Sequence, residues 1–245
     1  MKGYHPMDSF GADTAAEYDN NPRGDEGVSV ALLHELAGAG PALELAIGTG
    51  RIALPLAATG VRVDGIDLSP DMVAQLRAKP GGDALSVTMG DFADVDVPGT
   101  YSLVYVVYNT LFNLLTQDDQ VRCFENVAKH LTDDGVFLVE AGVPHIRDDD
   151  QSIRAERVNK RDVWLDLERY DPVTQLLEEN HVHLTPQGIR FFPVVQRLAW
   201  PAELDLMARI AGLRLKHRWG GWERQPFTVH TPNCVSVYER NSPRS

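Results

Sequence analysis

Hydrophobic positions change rhythm twice along the chain, and the changes divide it into three parts. Residues 1–24 show no period; polar residues and turn formers surround Tyr4, Phe10 and Tyr18, which predicts an N-terminal arm that settles only against other parts of the protein. From residue 25 to about 147, unbroken apolar runs alternate with helix-period segments. A helix is predicted over Asp25–Ala37, with Val28, Ala31, Leu32 and Leu36 facing inward and Gly38 ending it. "ALELAI" then reads as a strand, "RIALPLAATG" as a helix and "VRVDGID" as a strand. "SPDMVAQLRA" is a helix with Ser69 at the N-cap and Pro70 at its first position. "ALSVTMG" is a third strand and "YSLVYVVY" a fourth, apolar on both faces. A further helix opens at Thr116, with Asp119 three residues on and Val121, Phe124, Val127, Ala128 and Leu131 inward, before the fifth strand "GVFLVE".

Between Ser152 and Trp200 the period becomes two, as in Val163, Leu165 and Leu167, with turn signals at "YDPV" and "TPQG". That is an antiparallel insertion of three or four strands. Helical rhythm returns over Pro201–Ala211, stopped by Gly212, and the strands "LRLKHRW" and "CVSVYER" follow. Apolar strands separated by helices require a parallel sheet covered on both sides. The expected architecture is α/β: a Rossmann-like, doubly wound, mostly parallel seven-stranded sheet with an antiparallel β insertion after the fifth strand. Residues 1–24 form an arm or lid, 25–147 and 201–245 the α/β domain, and 148–200 the insertion, a substrate cover or oligomer contact.

Composition narrows the partners. The chain has 245 residues, 43% of them hydrophobic, and a net charge of −12. No apolar run reaches membrane-spanning length, and "MKGYHPMDSF" lacks the apolar stretch of a signal peptide, so a soluble cytoplasmic protein is expected. Basic residues cluster weakly at Arg154, Arg157, Lys160 and Arg161 with acids interleaved, which weighs against nucleic acid. Cys123 and Cys234 have no metal-like spacing and read as buried thiols. His181 and His183 share a strand face, but no third ligand with matching spacing is visible, so no metal is expected. The run Asp148-Asp149-Asp150 reads as a solvated link.

Candidate chemistry centres on "PALELAIGTGRIALPLA", a strand, a glycine turn and a helix. In an open parallel sheet, ligands sit beyond the carboxyl ends of the strands, beside the first strand–helix turn. Gly48 and Gly50 let a ligand approach the backbone, and the next helix points its N-terminus at the same place. Gly50-Arg51-Ile52 lacks the lysine and hydroxyl of a nucleoside-triphosphate loop. Ile52 stands where a dinucleotide fold has its third glycine; a nicotinamide or flavin cofactor is disfavoured and stays open. Asp67 closes the second strand, where an acid meets the paired hydroxyls of a ribose. Asp91 and Phe92 follow the third, suited to the edge and face of an adenine, and Met72 can pack on its other face. The plainer alternatives are a turn residue at Asp67, a helix cap at Asp91, and core at Met72 and Phe92.

"LELAIGTGRIALPLA", "VDGIDLSPDM", "GDFADV" and "YSLVYVVYNTLFNL" together resemble the ordered motifs of class I S-adenosylmethionine-dependent methyltransferases, over about residues 42–140. The tyrosine-bearing arm, "YNTLFNL", the insertion and "WGGWERQPF" are most similar to small-molecule N-methyltransferases of antibiotic and amino-sugar pathways. Ala46 stands where a glycine is usual and Ser102 where an aspartate is usual; both positions are expected to face sheet packing. The resemblance implies S-adenosylmethionine as cofactor and S-adenosylhomocysteine as product. It places Asp67, with Leu68 in the same motif, on the ribose, and Asp91, Phe92 and Met72 on the adenine. It also places backbone at Ala46 and Tyr108 on the donor's ammonium, and Tyr18 and Arg51 near its carboxylate.

Methyl transfer from a sulfonium needs alignment and exclusion of water more than it needs a strong base. A hydroxyl acceptor would need a base or a metal, and no acid or histidine cluster suited to magnesium is apparent, which favours nitrogen. The acceptor pocket is expected over the fourth and fifth strand ends and beneath the insertion. Tyr18, Tyr108, Phe112 and His145 are the catalytic candidates, with Asn109, Glu140, Trp219 and Trp222 beside them. Phe112 and Trp222 read equally well as core, and His145 as a solvated loop residue. Three other readings stay open: O-methylation, a non-catalytic S-adenosylmethionine-binding protein and, more distantly, a nicotinamide oxidoreductase. The expected partners are a small-molecule acceptor and, to cover the exposed strands of the insertion, further copies of the chain.

Overall fold

The structure, a computed structural model, describes residues 1–20, 22–145 and 150–241. Asp148 and Asp149 of the acidic run therefore lie outside the described residues. Seven strands form one sheet: β1 (Ala42–Leu45), β2 (Val63–Asp67), β3 (Ser86–Met89), β4 (Tyr101–Val106), β5 (Leu131–Gly142), β10 (Leu213–Trp219) and β11 (Asn233–Arg240). Their order is β10-β11-β5-β4-β1-β2-β3, and β11 alone runs antiparallel to both neighbours. The strand order reverses between β1 and β4, so their carboxyl ends open a crevice. Each predicted strand is present: the first four are two or three residues shorter than expected, β10 matches, β11 gains one residue, and β5 starts four residues earlier and ends two later.

Helices cover both faces. On one side α2 (Glu26–Ala37), α3 (Ala53–Ala58) and α4 (Pro70–Arg77) close a core around Leu33, Leu56 and Leu76. On the other, α5 (Gln117–His130) and α6 (Pro201–Ile210) pack Phe124, Val127 and Leu204 against Phe137 and Tyr238. Ser69 caps α4 by accepting the Met72 N–H, and Thr116 caps α5 by accepting the Asp119 N–H, both at 3.1 Å, as the sequence predicts.

The inward face of α2 differs from expectation. Val28 is 41% exposed and Ala31 is exposed, while Ser29, Val30, Leu33 and Ala37 join Leu32 inside. "VSVALLHELA" is apolar on nearly all sides, so its period gives little direction, and Ser29 satisfies its hydroxyl by donating to the Glu26 carbonyl at 2.9 Å. The face of α5 also turns inward three polar residues, Gln120, Asn126 and His130. Gln120 donates to the carbonyls of Leu114 and Arg197, which pins the end of the insertion to α5.

The insertion is a separate four-stranded antiparallel sheet, β6 (Gln151–Val158), β7 (Val163–Asp171), β8 (Leu176–Thr185) and β9 (Gly188–Arg197), in sequential order. On β7 the alternation runs opposite to expectation. Asp166 and Glu168 are the buried residues, and Val163, Leu165 and Leu167 are only half-buried. Arg154 on β6 lies over both carboxylates and provides their cover. The arm is also more regular than its composition suggests, with a helical turn at Pro6–Asp8 and a short helix, α1 (Ala12–Glu17). Ser9 Oγ donates to the Pro193 carbonyl of β9 at 2.7 Å, so arm and insertion meet above the crevice.

Candidate active site

A cleft, open to solvent at its mouth, lies over the ends of β1, β2 and β4 and beneath the arm. Its floor is the turn after β1. Ala46 there has φ +57°, a left-handed conformation that explains why a glycine is usual, and it lines the cleft. Ala46 packs against the core as expected, and it lines the cleft as well. Ser102 also faces packing, at the far end of β4, donating to the Ala37 carbonyl at 2.8 Å. Gly48 (φ +54°) faces the cleft, where a Cβ would stand 3.3 Å from Met72 Cε. Gly50 (φ +77°) answers to a different constraint: a Cβ there would collide with Leu76 and Leu54. Gly50 does not line the cleft, and its positive φ together with the nearness of Leu76 and Leu54 favours glycine there.

Asp67 ends β2 with 6% exposure. Its Oδ2 accepts the Gly48 N–H at 2.6 Å and its Oδ1 the Ser69 N–H at 2.7 Å, so one carboxylate ties the glycine turn to the start of α4. Burial pushes its ionisation above the usual carboxylate range, and these backbone donors pull it back down. Leu68, Met72, Asp91 and Phe92 all line the same cleft. Met72 and Phe92 are nearly buried, whereas Asp91 is exposed and accepts the Ala93 N–H at 2.9 Å as a turn residue.

The arm completes the wall. Tyr18 lines the cleft, and the Arg51 guanidinium lies 4.6 Å from its ring centroid while donating to the Tyr18 carbonyl. Next to it, Asp19 accepts the Thr49 hydroxyl at 2.8 Å and pairs with Lys79. Past α1, Arg23 spans 117 positions to pair with Glu140 on β5 at 2.7 and 3.1 Å. The Glu140 carboxylate also accepts the Tyr108 N–H at 2.6 Å. Tyr108 and Asn109 sit at φ +60° and +61°, and Asn109 Oδ1 holds the Gly142 N–H at 2.6 Å. Backbone held in this sparsely populated region turns the chain sharply at the end of β4. The Tyr108 ring lies between Arg23 at 4.4 Å and Arg51 at 5.5 Å. Burial raises both phenols, Tyr18 and Tyr108, above their ordinary values, so both stay protonated at neutral pH.

Other candidates lie elsewhere. Phe112 is 1% exposed within the core that holds Phe124, and it does not line the cleft. His145 is exposed, three residues beyond β5 and off the lining. Trp222 is buried in the core on the α2–α3–α4 side, and Trp219 packs on the same core and stacks on His217. Trp219 ends β10 and Trp222 follows it in the turn beyond, at the sheet edge away from β1. His181 and His183 separate in role: His183 stacks on Trp164 and pairs with Asp162, whereas His181 comes near Glu156 and Asp166. The metal-type cluster that sequence spacing does not reveal is thus formed across three strands, on the insertion.

Sequence reasoning missed Pro6, Met7 and Phe10 of the arm, and Glu44. Glu44, in the middle of β1, lines the cleft at 3% exposure and accepts the Tyr105 hydroxyl at 3.0 Å. Burial pushes its carboxyl up to about 8, with the nearby Asp67 charge adding to the rise. An acid inside the apolar run "ALELAI" was the available signal.

The cleft therefore joins a carboxylate at the β2 end, an aromatic and a methionine beside it, and a polar end where Arg51 and Tyr18 meet. That arrangement fits a nucleoside carrying an amino-acid tail, and no diphosphate is needed to fill it. Residues 42–135 match the family model of a methyltransferase domain. Over 98% of this chain and 100% of the other, the structure is similar to the CcbJ methyltransferase from Streptomyces caelestis, with 35% identity and a TM-score of 0.91. The chain is 26% identical over 207 residues to the cypemycin N-terminal methyltransferase of a Streptomyces species, covering 81% of this chain and 82% of that protein. Its fold also follows S-adenosylmethionine-bound CalS10, an amino pentose methyltransferase from Micromonospora echinaspora, at 20% identity and a TM-score of 0.69 over 98% and 100% of the two chains. The chain belongs to the S-adenosylmethionine-dependent methyltransferases.

Proposed function

We propose that this enzyme methylates an amine nitrogen of a small secondary metabolite of antibiotic or amino-sugar type. The observation that carries the nitrogen reading is the state of the groups around the end of β4. Tyr18 and Tyr108 are held protonated by burial, and the Glu140 carboxylate is engaged by Arg23 and the Tyr108 N–H. None of the three is placed to take a proton from a hydroxyl, whereas a neutral amine attacks without that help. The name of one relative points the same way: the cypemycin protein is an N-terminal methyltransferase.

When bound, S-adenosylmethionine supplies a methyl on a sulfonium whose thioether leaves readily. The chain's own residues do the aligning. Asp67 would accept from the ribose, Phe92 and Met72 would enclose the base, and Arg51 with Tyr18 would orient the carboxylate. The arm, latched through Asp19 and Arg23, excludes water above them. The test is release of S-adenosylhomocysteine with a panel of amino sugars and amines, each paired with its hydroxyl isostere. Amines are expected to react at least about a hundredfold faster, since Tyr18, Tyr108 and Glu140 offer a hydroxyl no base and the Glu44 carboxyl, raised to about 8 and bonded to Tyr105, is largely protonated at neutral pH. Preference for the hydroxyls would make the enzyme an O-methyltransferase, and donor binding with no turnover would favour a sensor role.

Among the described residues, no helix is long and apolar enough to cross a membrane. A cytoplasmic setting accords with this and with the two buried, unpaired thiols, Cys123 and Cys234. We also infer a homo-oligomer formed through the insertion. Ile153, Val158, Ile189 and Phe191, 59–73% exposed, fall on one face of its sheet by register. Light scattering is expected to return a mass of at least two chains, and a monomer mass at working concentration would exclude the contact.

A further inference from the structure

The opposite face of the insertion carries a cluster that methyl transfer does not use. Glu156 on β6, Asp166 on β7 and His181 on β8 each present one ligand atom, all within 4.8 Å of one another. Register explains the meeting. Asp166 stands directly across from His181, so their side chains share a face. The pairing of β6 with β7 shifts between Ala155 and Arg157, which makes Glu156 the extra residue of a bulge. A bulge re-aims the side chains around it. Here Glu156 Oε1 comes 3.2 Å from His181 Nδ1, while Arg157 lies over Trp164 on the same face.

A carboxylate cluster alone is common on protein surfaces; Asp166 sets this one apart. It is 5% exposed, and only its Oδ2 is bonded, to Arg154 at 3.1 Å. Its Oδ1 is buried without a hydrogen-bond partner and points into the cluster, 3.8 Å from His181 Nδ1. Buried carboxylate oxygens in native proteins almost always have a partner, a water or an ion. Two donors each about 2.0–2.2 Å from one metal ion stand roughly 3–3.5 Å apart, close to the separations here. His181 and Glu156 are both partly exposed and can make the remaining small adjustment.

We propose that Glu156, Asp166 and His181 bind one divalent transition-metal ion, of which Zn²⁺ fits the imidazole-plus-carboxylate set best. An imidazole ligand selects such an ion over Mg²⁺ or Ca²⁺. Bound there, it ties β6, an edge strand exposed along nearly its whole length, to the two central strands of the sheet. The role is structural and independent of which acceptor is methylated.

The test uses the full chain without an affinity tag, stripped with a chelator, and titrated calorimetrically with ZnCl₂ alone. One ion per chain is expected, with a rise in Tm that the chelator reverses. His181→Gln is expected to abolish the binding and Glu156→Gln to weaken it more than tenfold. His217→Gln, on β10, leaves it unchanged. Both cluster side chains are partly exposed, so the variants should fold, which circular dichroism checks. No saturable binding up to millimolar Zn²⁺ would overturn the proposal, as would equal affinity in wild type and His181→Gln.

Discussion

Asp67→Ala is expected to weaken S-adenosylmethionine binding by at least a hundredfold and to lower Tm as well. Hydrogen bonds to a charged group contribute about 1.5–3 kcal/mol each, so losing two to the ribose corresponds to roughly a 10²–10⁴-fold change in Kd. The fall in Tm has a separate origin. Removing the carboxylate strips the Gly48 and Ser69 N–H groups of their shared acceptor, and Asp67 is nearly buried. Asp67→Asn keeps one acceptor oxygen and should show a smaller loss in both measurements. Calorimetry separates the effects: unchanged donor affinity with reduced Tm would leave Asp67 a purely structural tie and sink the ribose assignment.

The second large effect concerns Glu44 and pH. Its carboxyl ionises at about 8 in the folded protein, against an ordinary value of 4.5. The folded state therefore holds a proton that the unfolded chain has already released as pH rises from 4.5 toward 8. Stability from this group is fully present below pH 4.5 and declines across that window, by up to about 1.4 kcal/mol per pH unit, then levels above 8. Glu44→Gln keeps the hydrogen bond from Tyr105 and removes the titration. Denaturant unfolding from pH 5 to 9 should show the variant gaining on wild type as pH rises, with the curves parallel above 8. Parallel curves throughout would mean that Glu44 is ionised in the empty cleft at neutral pH.

Much of the donor end was legible because it is local. A glycine turn between a strand and a helix, and acids at successive strand ends, are written in short segments. The sheet places those ends side by side whatever the details of packing, and Gly48, Asp67, Met72, Asp91 and Phe92 do line one cleft. The acceptor side was less legible because its neighbours are far apart in the chain. Nothing near Arg23 announces Glu140, 117 positions away. Phe112 and Trp222 read in sequence as pocket aromatics or as core equally well, and they fill the two cores. Gly50 stands off the cleft lining, beside Leu76 and Leu54, a neighbourhood that its motif does not announce.

By itself the sequence determined the fold class, the order of the main elements, the helix caps at Ser69 and Thr116, and the strand-end residues that line the cleft. These follow from periodicity and capping, which are set by neighbours within a few residues. The tertiary structure alone decided which face of α2 turns inward, that Asp166 and Glu168 are the buried residues of β7, and where the arm docks. It also decided that a one-residue bulge brings Glu156 to His181. Each of these depends on which distant strand or helix covers a given face, and one residue of register changes that answer completely.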